Sequence, residues 1–296
     1  MSRQKTYVLA VSGGIDSMVL LDMLVNPRSP VPIILDADCR YVVAHVDHGI
    51  RIDSNQDEKL VRDIAESFRC TYETTDLSLG PNTSEDSARK QRYAWLKAIM
   101  QKYDATALVT AHHQDDVLET IIINMRRGTG WRGLVSLREH DGVRRPLLGY
   151  AKADIVRYAI DNGIKWRDDS TNDDIRFMRN YIRYLIMPKL SRSQREELYA
   201  LYISQCMLGQ EIGHQVDMIS AVAIKGNEID RYFLSMIDRT VGAEIIRKWC
   251  RRPLELATIN RIWLFVLVAR PGKRMYEDGI KLVASPSGAI VSLSDI

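Results

Sequence analysis

The segment that most limits how this chain can fold lies at its start. A short apolar run, Tyr7-Val-Leu-Ala-Val11, leads through Ser12-Gly13-Gly14-Ile15-Asp16-Ser17 into the helix-like run Met18–Leu24. Strand, glycine loop and helix in that order open a parallel α/β sheet. Adjacent glycines let the backbone turn tightly and present its N–H groups. Those amides, with the N-terminus of the next helix, make an anion site. Ser12 and Ser17 can add hydroxyl donors, and Asp16 can hold a magnesium ion on bound phosphates. A plain strand–helix turn with a serine cap is the bland alternative, and six matching residues in this context argue against it. The loop is neither G-x-x-x-x-G-K-S/T nor G-x-G-x-x-G.

The first half continues the alternation. Tyr41–Val46 and Ala107–Thr110 read as buried strands. Ser54-x-x-Asp57 is a capping-box-like start for a helix carrying Leu60, Val61, Ile64, Ala65 and Phe68 on one face. Ile155, Val156, Ala159 and Ile160 repeat the pattern up to an Asn162-Gly163 stop. The expected fold class is therefore α/β, a doubly wound parallel sheet covered on both faces. In such sheets ligands bind beyond the carboxyl ends of the strands. After Pro188 the character changes. Leu198, Leu201, Leu208, Ile212, Val216 and Ile219 predict one long helix, with further helices near Tyr232–Met236 and Ala243–Trp249. Thr258 is a candidate cap for another, Ile259–Ala269, and Ile280–Val283 and Ala289–Leu293 around Ser285-Pro-Ser-Gly288 predict a terminal β-hairpin.

Length and composition set the outer limits. The 296 residues suit two domains at roughly 100–200 residues each. The longest apolar run, Ile262–Ala269, is far short of a membrane span, and no signal peptide precedes the first strand, so a cytoplasmic location is expected. Cys39, Cys70, Cys206 and Cys250 form no CxxC and no zinc-like spacing. The net charge is only +3, but Arg126–Lys189 holds fourteen Lys/Arg against eight acids. That stretch is either a solvated mixed surface or a face for a phosphate-rich partner.

Further motifs follow in order: His45-Val46-Asp47-His48-Gly49-Ile50-Arg51, Glu85-Asp-Ser-Ala88-Arg89-Lys-Gln-Arg92-Tyr93 and Thr110-Ala-His112-His113-Gln-Asp115-Asp116-Val-Leu-Glu119-Thr120. Then come Gly130-Trp-Arg132-Gly133-Leu134, Arg145-Pro146-Leu147-Leu148, Trp166-Arg-Asp168-Asp-Ser170-Thr-Asn172 and Arg179-Asn180-Tyr-Ile182-Arg183. The Ser12–Ser17 loop resembles the signature of the N-type ATP pyrophosphatases, the PP-loop family. The whole set, from about residue 6 to 190, resembles the tRNA(Ile)-lysidine synthetases. Beyond 190 the likeness rests on layout, and the close of the chain is similar to the end of a first C-terminal module, as in a short form without a second.

The resemblance implies an ATP-dependent carbon–nitrogen ligase with ATP and Mg2+ as cofactors. ATP would adenylate the wobble cytidine of the CAU-anticodon isoleucine tRNA, and the ε-amine of free L-lysine would then displace AMP. On this resemblance residues 1–190 are the PP-loop catalytic domain, 191–225 a linker helix, and 226–296 a helical tRNA-recognition domain ending in a β-hairpin. ATP-binding falls to Ser12, Gly13, Gly14, Ile15, Asp16, Ser17, His45, Val46 and Asp47, with Asp16 also the ligand of a transient magnesium. Asp16, His112 and Asp115 are the catalytic candidates. Asp116 and Glu119, three apart and so on one helix face, are expected to hold the amino groups of lysine, with Arg92 near its carboxylate. Arg126, Arg132, Arg145, Arg179 and Arg183 are expected at the tRNA, with ion pairs to Asp168, Asp169, Asp173 and Asp174 as the other reading. His45 is as readily a satisfied strand-end residue as a nucleotide contact, and Trp131 and Trp166 are more readily packing residues than base-stacking ones. No membrane partner is expected, and a homodimer is left open. The closest rival is a PP-loop tRNA thiolase, which needs a persulfide-bearing cysteine or a CxxC-held cluster. A non-catalytic RNA-binding module would need neither the loop nor the acid pair.

Overall fold

Val8 and Leu9 are neighbours in the first strand, so their side chains fall on opposite faces of a sheet, and both are fully buried. The structure, a computed structural model, describes residues 4–47, 54–77, 85–140, 142–167 and 177–295. By internal contacts it divides into two units, Met1–Cys206 and Met207–Ile296.

In the first unit, strands β1 (Lys5–Ala10), β2 (Cys39–Asp47), β3 (Thr71–Asp76), β4 (Ala107–Val109) and β5 (Val143–Arg144) pair in parallel in the order β3-β2-β1-β4-β5. Helices α1 (Ile15–Val25), α2 (Ser54–Ser67), α3 (Glu85–Lys102), α4 (Gln114–Arg126), the single turn α5 (Trp131–Leu134) and α6 (Lys152–Asp161) lie between or after them. One face of the sheet, with Leu9, Val43 and Val109, packs on Met18, Val19 and Leu21 of α1, Val61 and Ala65 of α2, and Ile155 and Tyr158 of α6. The other face, with Val8, Val42, Ala44 and Leu108, packs on Leu96 and Ile99 of α3. This is the expected doubly wound arrangement. Burial on both sides explains why β1, β2 and β4 read as continuous apolar runs. The edge strand β3, Thr-Tyr-Glu-Thr-Thr-Asp, is half-exposed throughout and lacks that signal.

The chain leaves β1 toward β2 and β3 on one side, then returns to β4 and β5 on the other. The order therefore reverses between β1 and β4, where sheets of this kind open a crevice for ligands. α6 ends as expected: Gly163 has φ +61, its N–H reaches Ile160 O, and Ile164 N–H reaches Ala159 O. After it come α7 (Met178–Tyr181), a wide π-type turn Ile182–Ile186, a 3-10 turn Met187–Lys189 and the long helix α8 (Arg192–Ala223), which contains the division between the units.

The second unit adds β6 (Ile224–Lys225), β7 (Glu228–Asp230), α9 (Arg231–Ser235), α10 (Arg239–Cys250), α11 (Leu256–Val268), β8 (Arg274–Glu277), β9 (Ile280–Ala284) and β10 (Ile290–Asp295). The predicted hairpin is β9–β10, but it forms the inner part of a five-stranded antiparallel sheet in the order β6-β7-β10-β9-β8. Thr258 does not cap α11. Glu255 holds the N-cap position, and buried Thr258 donates its hydroxyl to Asp278 at 2.8 Å. Gly242 is required by close packing, because a Cβ there would sit 1.7 Å from the Trp263 ring.

Candidate active site

The glycine loop takes the shape its sequence requires. Gly13 has φ +90, a left-handed conformation that side chains disfavour. Gly14 is the N-cap of α1, so the first-turn N–H groups of that helix face out beyond the strand ends. Ser17 is buried and braces the loop: its hydroxyl donates to Gly14 O at 2.8 Å and accepts from Ser12 N–H at 3.2 Å. Ser12 Oγ is 3.2 Å from Ser17 Oγ and 3.4 Å from Gly14 N. Much of the hydroxyl capacity expected for a ligand therefore holds the loop itself. His45 is also internal, its Nδ1–H donating to Val11 O at 2.8 Å where β1 ends.

Ser12, Gly14, Asp16, Ser17, Val46, Arg92 and His112 line a single cleft of about 220 Å³, together with Tyr93 and Thr110. It lies at the reversal between β1 and β4. Gly13, Ile15, His45 and Asp47, also expected at the nucleotide, are not among the residues lining the cleft; Ile15 packs against the core, and His45 and Asp47 are buried. His48 to Arg51, the rest of that motif, lies outside the described residues, as do the Ser54 and Glu85 side chains and the Asp168–Asn172 motif.

On α4 the structure assembles a second group. His113 is the N-cap, and its N–H donates to the Asp116 carboxylate at 3.0 Å. Asp116 and Glu119 are 8% and 2% exposed, and both carboxylates face Arg179 and Arg183. Arg179 Nη2 is 2.9 Å from Asp116 and its Nε 2.9 Å from Glu119. Arg183 Nε and Nη2 meet the two Glu119 oxygens at 2.7 and 3.0 Å. Burial alone would raise the Asp116 pKa, but His113 and Arg179 beside it hold it down to about 2. Burial would lower both arginines, and the two carboxylates more than offset that. So the two arginines expected at RNA phosphates instead neutralise the acid pair of α4. The acids expected to pair with them, Asp168, Asp169, Asp173 and Asp174, lie outside the described residues.

Two other expected positions differ from their anticipated surroundings. Arg145 is 7% exposed and donates to the Arg138 carbonyl, so it serves the interior of its own loop and is not presented to a partner. Asp115 is tied on both oxygens, accepting from Lys152 N–H at 3.0 Å and from Arg195 Nη1 at 3.1 Å. Arg126 and Arg132 are exposed, the latter lying over the Trp131 ring at 4.5 Å. Arg92 lies over Tyr93 at 5.5 Å at the cleft wall. His112 takes a hydrogen bond with Thr110 Oγ1 at 2.9 Å through Nδ1, and burial pushes its imidazole down to about 4. The ring is therefore neutral at pH 7, with one of its two nitrogens able to accept a proton.

Sequence reading missed Lys152. Its Nζ is 2.5 Å from Asp16, whose other oxygen is 3.7 Å from His113 Nε2. The only signal is chemical: a lysine opening a helix stands against the helix dipole.

A parallel α/β sheet with a glycine loop after β1 and a cleft at its reversal point defines a nucleotide-type binding fold. The family model described as PP-loop domain matches residues 2–190. The chain belongs to that PP-loop family. Among curated proteins, the tRNA(Ile)-lysidine synthase of Thermotoga sp. (strain RQ2) is 34% identical over 204 residues, 66% of this chain and 48% of its own length. That of Chlorobaculum tepidum is 36% identical over 64% of this chain and 59% of its own. That of Photobacterium profundum is 30% identical over 89% of this chain and 62% of its own. The chain thus spans about half the length of the first of these relatives and less than two thirds of each. Among solved structures, the U34-tRNA thiolase NcsA from Methanococcus maripaludis superposes with a TM-score of 0.55 at 16% identity, covering 70% of this chain and 73% of that one. That likeness is one of fold. Among the described residues no helix is long and apolar enough to cross a membrane.

Proposed function

We propose that the chain ligates free L-lysine to the wobble cytidine of the CAU-anticodon isoleucine tRNA, in two steps at the β1–β4 cleft. The observation that carries this reading is the junction of two sites. A PP-loop suited to a triphosphate adjoins a buried carboxylate pair suited to an amine-rich substrate, linked through His113 at 3.7 Å from Asp16 and 3.5 Å from Asp116. The names of the relatives point the same way.

In the first step the loop amides hold ATP, and the cytidine 2-oxo oxygen attacks the α-phosphorus while pyrophosphate leaves. His112, neutral and hydrogen-bonded through Nδ1, orients its free nitrogen toward that exchange. Asp16, at the loop and partly exposed, is a hard oxygen donor of the kind that meets Mg2+ carried on phosphates. The metal would supply charge neutralisation of the phosphate chain. In the second step the neutral lysine ε-amine attacks C2 of the cytosine, the C2–O bond breaks with its electron pair leaving on AMP, and the nitrogen sheds its proton to solvent. Asp116 and Glu119 hold the cationic amine of lysine, with Arg92 near its carboxylate. Because Arg179 and Arg183 already occupy those carboxylates, lysine must share or displace them. Arg126 and Arg132 remain exposed for RNA phosphates.

The sulfur-transfer reading finds less support in the side chains. Burial pushes the Cys70 and Cys250 thiols up to about 11, away from the reactive thiolate. None of the four cysteines lines the cleft. The test is incorporation of labelled lysine into unmodified CAU-anticodon isoleucine tRNA by purified protein with ATP and Mg2+. Label in the RNA supports the proposal. Pyrophosphate release without label overturns the choice of lysine while leaving adenylation in place.

A further inference from the structure

Lys152 has no role in the motifs, yet its placement is costly enough to need a reason. It is the first residue of α6, where the helix dipole repels a cation. Its backbone is fixed by Asp115, which accepts from Lys152 N–H at 3.0 Å and is itself held by Arg195 at 3.1 Å. From there the side chain reaches Asp16, Nζ to Oδ1, at 2.5 Å. Asp16 lines the cleft beside Ser12, Gly14 and Ser17. Both partners face water, with side chains 38% and 30% exposed, so the pair is easily exchanged for another.

A carboxylate beside a loop that binds phosphates is a liability unless a cation covers it, since like charges at this range repel. We propose that Lys152 is a phosphate-contacting residue that covers Asp16 until nucleotide arrives and then transfers its ammonium to the phosphate chain, with Asp115 as its positioning residue. This rests on the reading of the cleft as an ATP site and adds the residue that meets the leaving group. When the bond between the α-phosphorus and the bridging oxygen breaks, its electron pair goes to that oxygen. The negative charge grows on the pyrophosphate, and an Nζ–H donor there stabilises it. The same exchange frees Asp16 for a nucleotide-borne cation.

The test compares wild type with Lys152→Met, which keeps the stem and removes the charge, and Lys152→Arg, which keeps the charge. ATP affinity is measured by calorimetry without RNA or lysine, in EDTA and again with Mg2+. We expect Lys152→Met to lose about tenfold to hundredfold in metal-free ATP affinity, the worth of one charge-assisted contact, and Mg2+ to recover most of the loss. Lys152→Arg should stay within about threefold of wild type, since it still presents a cation. Pyrophosphate release by Lys152→Met should fall about 10²- to 10³-fold with the KM for lysine unchanged. Unaltered metal-free ATP affinity in Lys152→Met overturns the proposal. Equal losses in both variants also overturn it, because they assign Lys152 a packing role. The calorimetric readouts concern ATP alone, so they stand or fall separately from the identity of the amino acid.

Discussion

Replacing Glu119 by Gln probes the cluster that joins the two halves of the site. Glu119 is 2% exposed and takes three contacts from Arg179 and Arg183, at 2.9, 2.7 and 3.0 Å. The amide keeps the shape, but it removes the charge and turns an NH2 group toward guanidinium donors. Removing one partner of a buried pair costs about 3–5 kcal/mol. The arginine side chains are 29% and 34% exposed, so water recovers part of this and about 2–3 kcal/mol remains. At about 2–4 °C per kcal/mol for a unit of this size, the midpoint should fall by about 4–12 °C. The assay is thermal and urea unfolding, with hydrogen exchange of the β1 and β4 amides assigning the change to this unit, in a double-mutant cycle with Arg183→Met. A coupling of about 1–3 kcal/mol is expected. A destabilisation under about 0.5 kcal/mol with no coupling would show that water, not the arginines, satisfies Glu119, and the reasoning about this cluster would fail.

Four further outcomes follow from the same structure. Gly13→Ala, at φ +90, should cost about 1–2 kcal/mol of strain and weaken ATP binding in calorimetry, although its Cβ would meet Asp57 and Val61 only at ordinary distances of 3.5 and 3.6 Å. For His112, burial lowers the folded value to about 4 from 6.5, so the unfolded chain takes the proton first. Stability is then full above about pH 6.5 and declines as pH falls through 4; denaturant titrations should show this slope in wild type and a flatter one in His112→Gln. For Asp116, held to about 2 from 3.8, the contribution is present above 3.8 and lost on further acidification toward 2, a second window that His112→Gln should narrow without removing, since His113 and Arg179 lower Asp116 more than His112 does. Changing all four cysteines to serine should leave AMP formation within about threefold of wild type, since no thiolate is used; loss of turnover with an intact thermal midpoint would favour sulfur chemistry.

Much of the first unit was legible because strands buried on both faces and helices with 3.6-residue periods leave strong patterns. β1, β2 and β4 carried them, whereas β3 and β5 are short or half-exposed and did not. The second sheet was underread although its turns were written plainly. Asp278-Gly279 joins β8 to β9 with φ +46 and +75 at its two residues, and Gly226-Asn227 joins β6 to β7. Both dipeptides are strong hairpin signals. Spacing put Asp116 with Glu119 and Arg179 with Arg183, but only the fold brings the two pairs together across some sixty residues. The same limit hid Lys152, which is 136 residues from Asp16.

The most direct measurement is AMP release by purified protein with ATP, Mg2+ and unmodified CAU-anticodon isoleucine tRNA, offering each common amino acid in turn. We expect AMP release that depends on both the tRNA and lysine, with lysine preferred over every other amino acid. AMP formation that is indifferent to lysine, or that requires a sulfur donor instead, would contradict the proposed ligation.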